Sequence, residues 1–250
     1  KKTEDYTKNQ LRLDDDVLTK RYQSEFDYAH QARAVFATDS PDLSSMLSKA
    51  EYHAYLTDAL SDIIEKTSLQ TLVLFNSLED IEAVYNGLSI RGLNKKREIL
   101  AQGVNGTPEK LKKRFVLTSS KSILLGAGSF WEGIDLPEEK LELLVITRLP
   151  FQSPDSLINK VRYRNVQAKG HNPFSAVSLP EAALKFRQGF GRLIRTKDDH
   201  GILAVLDSRI VNKRYAHEFT DTLPKDLRID RVEMKDIPEI ICDTEKDFGF

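Results

Sequence analysis

Gln188, Arg192 and Arg195 are the side chains of this chain with the clearest capacity for chemistry. A guanidinium is always ionised and offers forked donors. Two of them beside a glutamine therefore suit a polyanion whose charge rises during reaction, above all a transferring phosphoryl group. Residues 178–195, which carry them, read S-L-P-E-A-A-L-K-F-R-Q-G-F-G-R-L-I-R. Ser178 and Glu181 have capping-box spacing and Pro180 falls in the first turn, which predicts a helix starting at Ser178. At about 100° per residue, Gln188, Arg192 and Arg195 fall within roughly 60° of one another, while Phe186, Phe190 and Leu193 point the other way for burial. Gly189 and Gly191 each cost about 1 kcal/mol relative to alanine inside a helix, so close approach of another backbone or a ligand is the expected reason for them. The plain alternative is a solvated cationic face near a helix C-terminus, where the macrodipole favours positive charge.

The rest of the chain must position that stretch. With 250 residues, 40% of them hydrophobic and 30% charged, it can bury a sizeable core within one α/β domain. Continuous aliphatic runs at 33–37, 72–75, 123–125, 143–147 and 201–206 lack alternation, the pattern of parallel strands covered on both faces. Residues 97–101 are a further strand candidate, and the alternation at 228–234 suggests a late edge strand. Leu56, Leu60, Ile63 and Ile64 predict a helix over 43–66, and another starts near Glu79. The expected fold is α/β, a mainly parallel central sheet with helices on both faces.

Open sheets of this kind bind ligands beyond their strand C-termini. Asn76 and Ser77 sit there after the 72–75 run, where they either touch a ligand or cap the next helix. The strand at 123–125 opens into G-A-G-S-F-W-E-G-I-D, residues 126–135. Its three glycines let backbone amides approach an anion, and Asp135 can accept from a ribose hydroxyl. At 152–174, Arg162, Arg164 and Lys169 lie alongside Tyr163 and Phe174. That mixture suits either single-strand binding or a surface excursion with packing aromatics. Lys110, Lys112, Lys113 and Arg114 form the densest basic cluster; with no aromatic interleaved, it reads as a solvated face.

Taken together the motifs resemble a known family. Q-G-F-G-R-L-I-R at 188–195 looks like motif VI of superfamily 2 helicases, in the form used by the DinG branch of the XPD-like group. F-W-E-G-I-D at 130–135 resembles motif V, R-L-P-F at 148–151 the segment that follows it, and L-V-L-F-N-S at 72–77 motif IV. Order and spacing agree over about 26–224. The resemblance implies a RecA-like second motor domain over 26–250 with an excursion at 152–177, and a linker over 1–25 that follows a first motor domain absent from this chain. It implies an ATP-dependent DNA helicase, cytoplasmic, in which Arg192 and Arg195 act as arginine fingers and Gln188, Glu132, Gly133 and Asp135 face the nucleotide. Asn76, Ser77, Ser129 and Trp131 would face single-stranded DNA, although Trp131 is at least as well read as a packing residue. ATP and magnesium would be held mainly by the first motor domain, the intramolecular partner. The family's iron-sulfur insertion also belongs there, so no cluster is expected on this chain. Two other readings stand beside this one: a non-motor nucleic-acid-binding module of a DinG-like exonuclease, and a scaffold whose arginines only make ion pairs.

The sequence also excludes much. No G-x-x-x-x-G-K-[ST] loop and no Asp-Glu-x-His box occurs, so a triphosphate has no complete site here and the chain alone is expected to be inactive. One cysteine, Cys242, rules out an internal disulfide framework and a cysteine-only cluster. The five histidines lack metal-ligand spacing, and Asp14, Asp15 and Asp16 lack EF-hand spacing. No apolar run approaches the ~20 residues of a membrane span. Net charge is −1, so nucleic-acid affinity must come from a local patch. Lys1 in first place suggests an excised piece of a longer protein, and the acidic tail to Phe250 is expected to be peripheral.

Overall fold

The aliphatic runs become strands. In the computed structural model, which describes residues 8, 24–41, 48–117, 121–131 and 141–250, seven strands form one sheet. They are β1 (Ala32–Ala37), β2 (Thr71–Leu74), β3 (Ile99–Ala101), β4 (Ile123–Gly126), β5 (Leu143–Ile146), β6 (Gly201–Val205) and β7 (Arg228–Val232), in the order β3-β4-β2-β5-β6-β1-β7. All neighbours pair in parallel. Every residue of β2 to β6 is buried, as continuous aliphatic strands demand, and the edge strand β7 is partly exposed.

Alternate side chains feed two separate cores. Phe36, Leu72, Leu74, Leu124, Leu144 and Leu203 face one side. Val35, Val73, Phe75, Ile123, Val145 and Ile202 face the other. The main helices are α1 (Lys49–Lys66), α2 (Leu78–Ile90), α3 (Pro108–Leu117), α4 (Leu157–Ala168), α5 (Leu179–Phe190) and α6 (Ile237–Phe248). Leu111 and Phe115 of α3 and Phe186 and Phe190 of α5 fill the first core. Leu56 and Leu60 of α1, Ile81 and Val84 of α2, and Ile237 and Ile241 of α6 fill the second.

Three local expectations are corrected. The helix read over 43–66 starts at Lys49, where Ser48 and Glu51 form a capping box; residues 42–47 lie outside the described residues. The strand read over 97–101 starts at Ile99, because the Arg97 guanidinium is drawn inward to the carbonyls of Thr67 (2.9 Å), Lys121 (3.2 Å) and Leu69. Burial pulls the Arg97 pKa down. The acidic tail is not peripheral. It folds as α6, whose Ile237, Ile241 and Thr244 pack inward at helical spacing while the acids face water. Arg33 then ties α6 to β7, with Nη1 on Thr244 Oγ1 at 2.8 Å and Nε on Asp230 at 2.7 Å.

The basic residues Lys110, Lys113 and Arg114 line the solvent side of α3, with Arg114 paired to Glu98. Among the described residues no helix is long and apolar enough to cross a membrane, and no three His, Cys, Asp or Glu side chains come together to hold a metal ion.

Candidate functional site

The stretch that carries the arginines departs from its expected geometry at both ends. Ser178 is not a cap: it is already helical, in a π turn over Phe174–Ser178 that runs straight into α5. Asn172 serves instead, its Oδ1 accepting from the amides of Phe174 (2.8 Å) and Ser175 (3.3 Å). The two capping-box side chains are used elsewhere. The Ser178 hydroxyl meets Tyr163 Oη at 2.6 Å, and Glu181 pairs with Arg162.

At its other end α5 stops at Phe190, and residues 191–193 form a turn with Leu193 N donating to Phe190 O at 3.0 Å. Beyond that point helical rotation no longer applies. Gln188 is exposed on α5, whereas Arg192 is buried and both arginines lie beyond the end of the helix. The single helical surface expected from the spacing is therefore not formed.

Arg192 turns inward and is only 7% exposed. Its Nη1 donates to the Phe130 carbonyl, joining the 188–195 stretch to the loop after β4, while Nη2 is buried with no hydrogen-bond partner among the described residues. Burial, with repulsion from Arg195 second, draws its pKa down to about 10. Arg195 is exposed and sits on a held turn. Asp199 Oδ2 accepts from the amides of Arg195 and Thr196, both at 2.8 Å. Buried Gln31 clamps the same turn, its Nε2 donating to the carbonyls of Thr196 (3.0 Å), Lys197 (3.1 Å) and Asp199 (2.9 Å). Sequence reasoning missed both holders. An aspartate three residues after Thr196, Asp199, is a readable side-chain-to-backbone turn signal. Gln31 offered none, being 165 residues from Thr196 in the chain.

The loop after β4 begins with a short 3-10 turn, Gly128–Phe130, that leaves Ser129 exposed. Trp131 is 3% exposed and its Nε1 donates to Phe75 O at 2.7 Å, so it is a packing residue that pins the loop to the end of β2. Glu132, Gly133 and Asp135 lie outside the described residues. Ser77 caps α2, accepting from Asp80 N at 3.1 Å, while Asn76 is exposed and gives Nδ2 to Leu149 O at 3.0 Å. Asn76, Ser129 and the chain after β5 thus meet at the C-terminal edge of the sheet.

Gly189 needs a different account from close backbone or ligand approach. A methyl group there would meet Leu74, Trp131 and Leu144 side chains at 3.7 to 3.9 Å, an ordinary contact. Gly189→Ala is therefore expected to raise stability by about 0.5–1 kcal/mol through helix propensity, read from the urea midpoint; a loss would show that the packing is tighter than this geometry.

The family profile described as Helicase C-terminal domain matches residues 60–226. This chain belongs to that family. As a helicase C-terminal domain it is 36% identical over 207 residues to the 3'-5' exonuclease DinG of Bacillus subtilis, an alignment covering 82% of this chain and 22% of that protein. It is 37% identical over 208 residues to the ATP-dependent DNA helicase DinG of Photobacterium profundum, covering 82% and 29%. The chain thus spans less than a third of the curated relatives it matches. A solved structure of an XPD helicase shares the fold, with TM-score 0.60 at 19% identity over 80% of this chain and 35% of that one. The DinG-type identity and the RecA-like parallel sheet expected from the ordered motifs both hold for this helicase C-terminal domain.

Proposed function

We propose that this domain is the second motor domain of an ATP-dependent DNA helicase and completes a nucleotide cleft whose other wall lies on a first motor domain in the same polypeptide. What supports the reading is the contact between Arg192 Nη1 and Phe130 O, which ties the motif VI stretch to the motif V loop. Arg195 is the exposed guanidinium and takes the part of the finger that reaches across the cleft, with Asp199 and Gln31 holding its turn. Among the described residues Arg192 keeps Nη2 as a donor with no partner, a group chemically suited to a phosphate oxygen. Both would stabilise charge as it spreads over the transferring phosphoryl group. Gln188 senses the nucleotide, in concert with Glu132, Gly133 and Asp135. Magnesium and the phosphate-binding loop belong to the partner domain. The strand runs along the edge that carries Asn76 and Ser129.

The test is strand-stimulated ATP hydrolysis by the full-length protein. Arg195→Ala is expected to lower kcat by about 10³-fold or more, the usual worth of an arginine finger, while the 250 residues alone show no turnover. Unchanged kcat in the variant, or robust hydrolysis by the chain alone, would refute the assignment.

A further inference from the structure

The chain contains two Asn-Gly pairs, Asn86-Gly87 and Asn105-Gly106, and both asparagines are exposed. An asparagine before glycine is open to attack from within the chain, because a residue without a side chain leaves its amide nitrogen free to reach the asparagine Cγ. The two pairs stand in different backbones. Asn86 lies inside α2, where the helical ladder holds the amides along the axis and Gly87 O accepts from Arg91 N at 3.3 Å. Asn105 lies in the turn between β3 and α3.

β3 is an outer strand of the sheet, so one row of its backbone groups has no strand to pair with. Gln102 N donates to Leu125 O and Glu98 O accepts from Ile123 N, both toward β4; by alternation Ile99 and Ala101 turn their amides and carbonyls outward. Asn105 takes the place of the missing neighbour. Its Oδ1 accepts from Ala101 N at 2.7 Å and its Nδ2 donates to Ile99 O at 2.9 Å, so one side chain plugs a donor and an acceptor of the edge. An aspartate there would instead set a carboxylate oxygen against Ile99 O. Gly106 answers a separate demand, since a methyl group on it would lie 2.5 Å from Cδ2 of fully buried Leu111. Two unrelated packing needs therefore force the reactive pair together in an exposed turn.

We propose that Asn105 is a site of spontaneous deamidation and that its conversion unplugs the outer edge of β3. Gly106 N attacks Asn105 Cγ, the Cγ–Nδ2 bond breaks, and ammonia leaves carrying the proton of the glycine amide. Water then opens the cyclic imide at either carbonyl, giving isoaspartate or aspartate, with nothing oxidised or reduced. Either product replaces the Nδ2 donor by a carboxylate oxygen. Ile99 O then loses its partner, and the edge is left open to strand addition.

The test incubates the purified chain in mildly alkaline buffer, folded and in urea, and locates isoaspartate by enzymatic methyl transfer and peptide mapping. In urea both pairs should convert at similar rates. In the folded chain label is expected at residue 105 well ahead of residue 86. Equal labelling of the two, or an Asn105 that stays intact over the period in which the urea sample converts, would overturn the site. The consequence is read in Asn105→Asp by hydrogen exchange. Amides of residues 101–105 should exchange about tenfold faster, the scale of one lost hydrogen bond, while those of α2 are unchanged. Unchanged exchange at 101–105 would show that the edge stays closed, and a rise shared by α2 would show general loosening; either overturns the unplugging.

Discussion

Arg192→Met is expected to stabilise this domain while removing nucleotide hydrolysis from the full-length protein. Among the described residues the wild-type side chain is a buried cation with no hydrogen-bonded or ion-paired carboxylate, one unpaired donor and a second guanidinium near enough to repel it. Effective desolvation costs several kcal/mol per ion. The bond from Nη1 to Phe130 O returns about 1.5–3 kcal/mol, so a neutral side chain of similar length should gain about 1 kcal/mol. For a domain of this size that raises Tm by about 2–4 °C.

The sign follows from the pKa. The folded value, about 10, lies below that of a free guanidinium, so the charged form is disfavoured in the native state and the penalty is fully present at neutral pH. It fades only as pH rises through about 10, and the gap between variant and wild type should begin to narrow there, as measured by paired denaturant titrations. Hydrolysis should fall about 10³- to 10⁵-fold in the same variant. A variant that is both less stable and fully active would mean that Arg192 is an ordinary packing residue.

Gly126→Ala carries the second large effect. A methyl group on Gly126 would clash with Phe130 Cγ and lie 2.6 Å from its Cδ2, and Phe130 is fully buried. Overpacking of this kind typically costs about 1–3 kcal/mol. The displaced ring also moves the carbonyl that receives Arg192, so strand-stimulated hydrolysis should fall further than the stability loss accounts for. Gly189→Ala is the matched control, a methyl added to the same core without a clash. Activity and stability that both match wild type in Gly126→Ala would show that the contact between the two motifs does not carry function.

The strands were legible because a parallel sheet buried on both faces admits little except aliphatic residues; Leu72, Val73 and Leu74 leave no other reading. The ends of α5 were not. Ser178 and Glu181 do have the spacing of a cap, but Tyr163 and Arg162, brought close only by the tertiary fold, occupy both side chains. At the other end, two glycines within three residues were a stop signal, and reading them as room for a ligand carried the helix too far. The inward turn of Arg192 follows from that stop, since a turn resets which way each side chain points. The tail misled through its net charge, which hid the spacing of Ile237, Ile241 and Thr244. What held was membership of the family; what changed was which atoms the 188–195 stretch presents.

β1 lies between β6 and β7, with Ala32 opposite Gly201 and Arg33 opposite Arg228. During translation Val35 and Phe36 therefore leave the ribosome roughly 170 residues before either neighbour exists, a wait of about 10–30 s at typical elongation rates. For that interval the most aliphatic part of the early chain has nothing to pair with. Nascent chains should occupy holdase chaperones throughout, and a message truncated before Val232 should yield protease substrate rather than a smaller working domain.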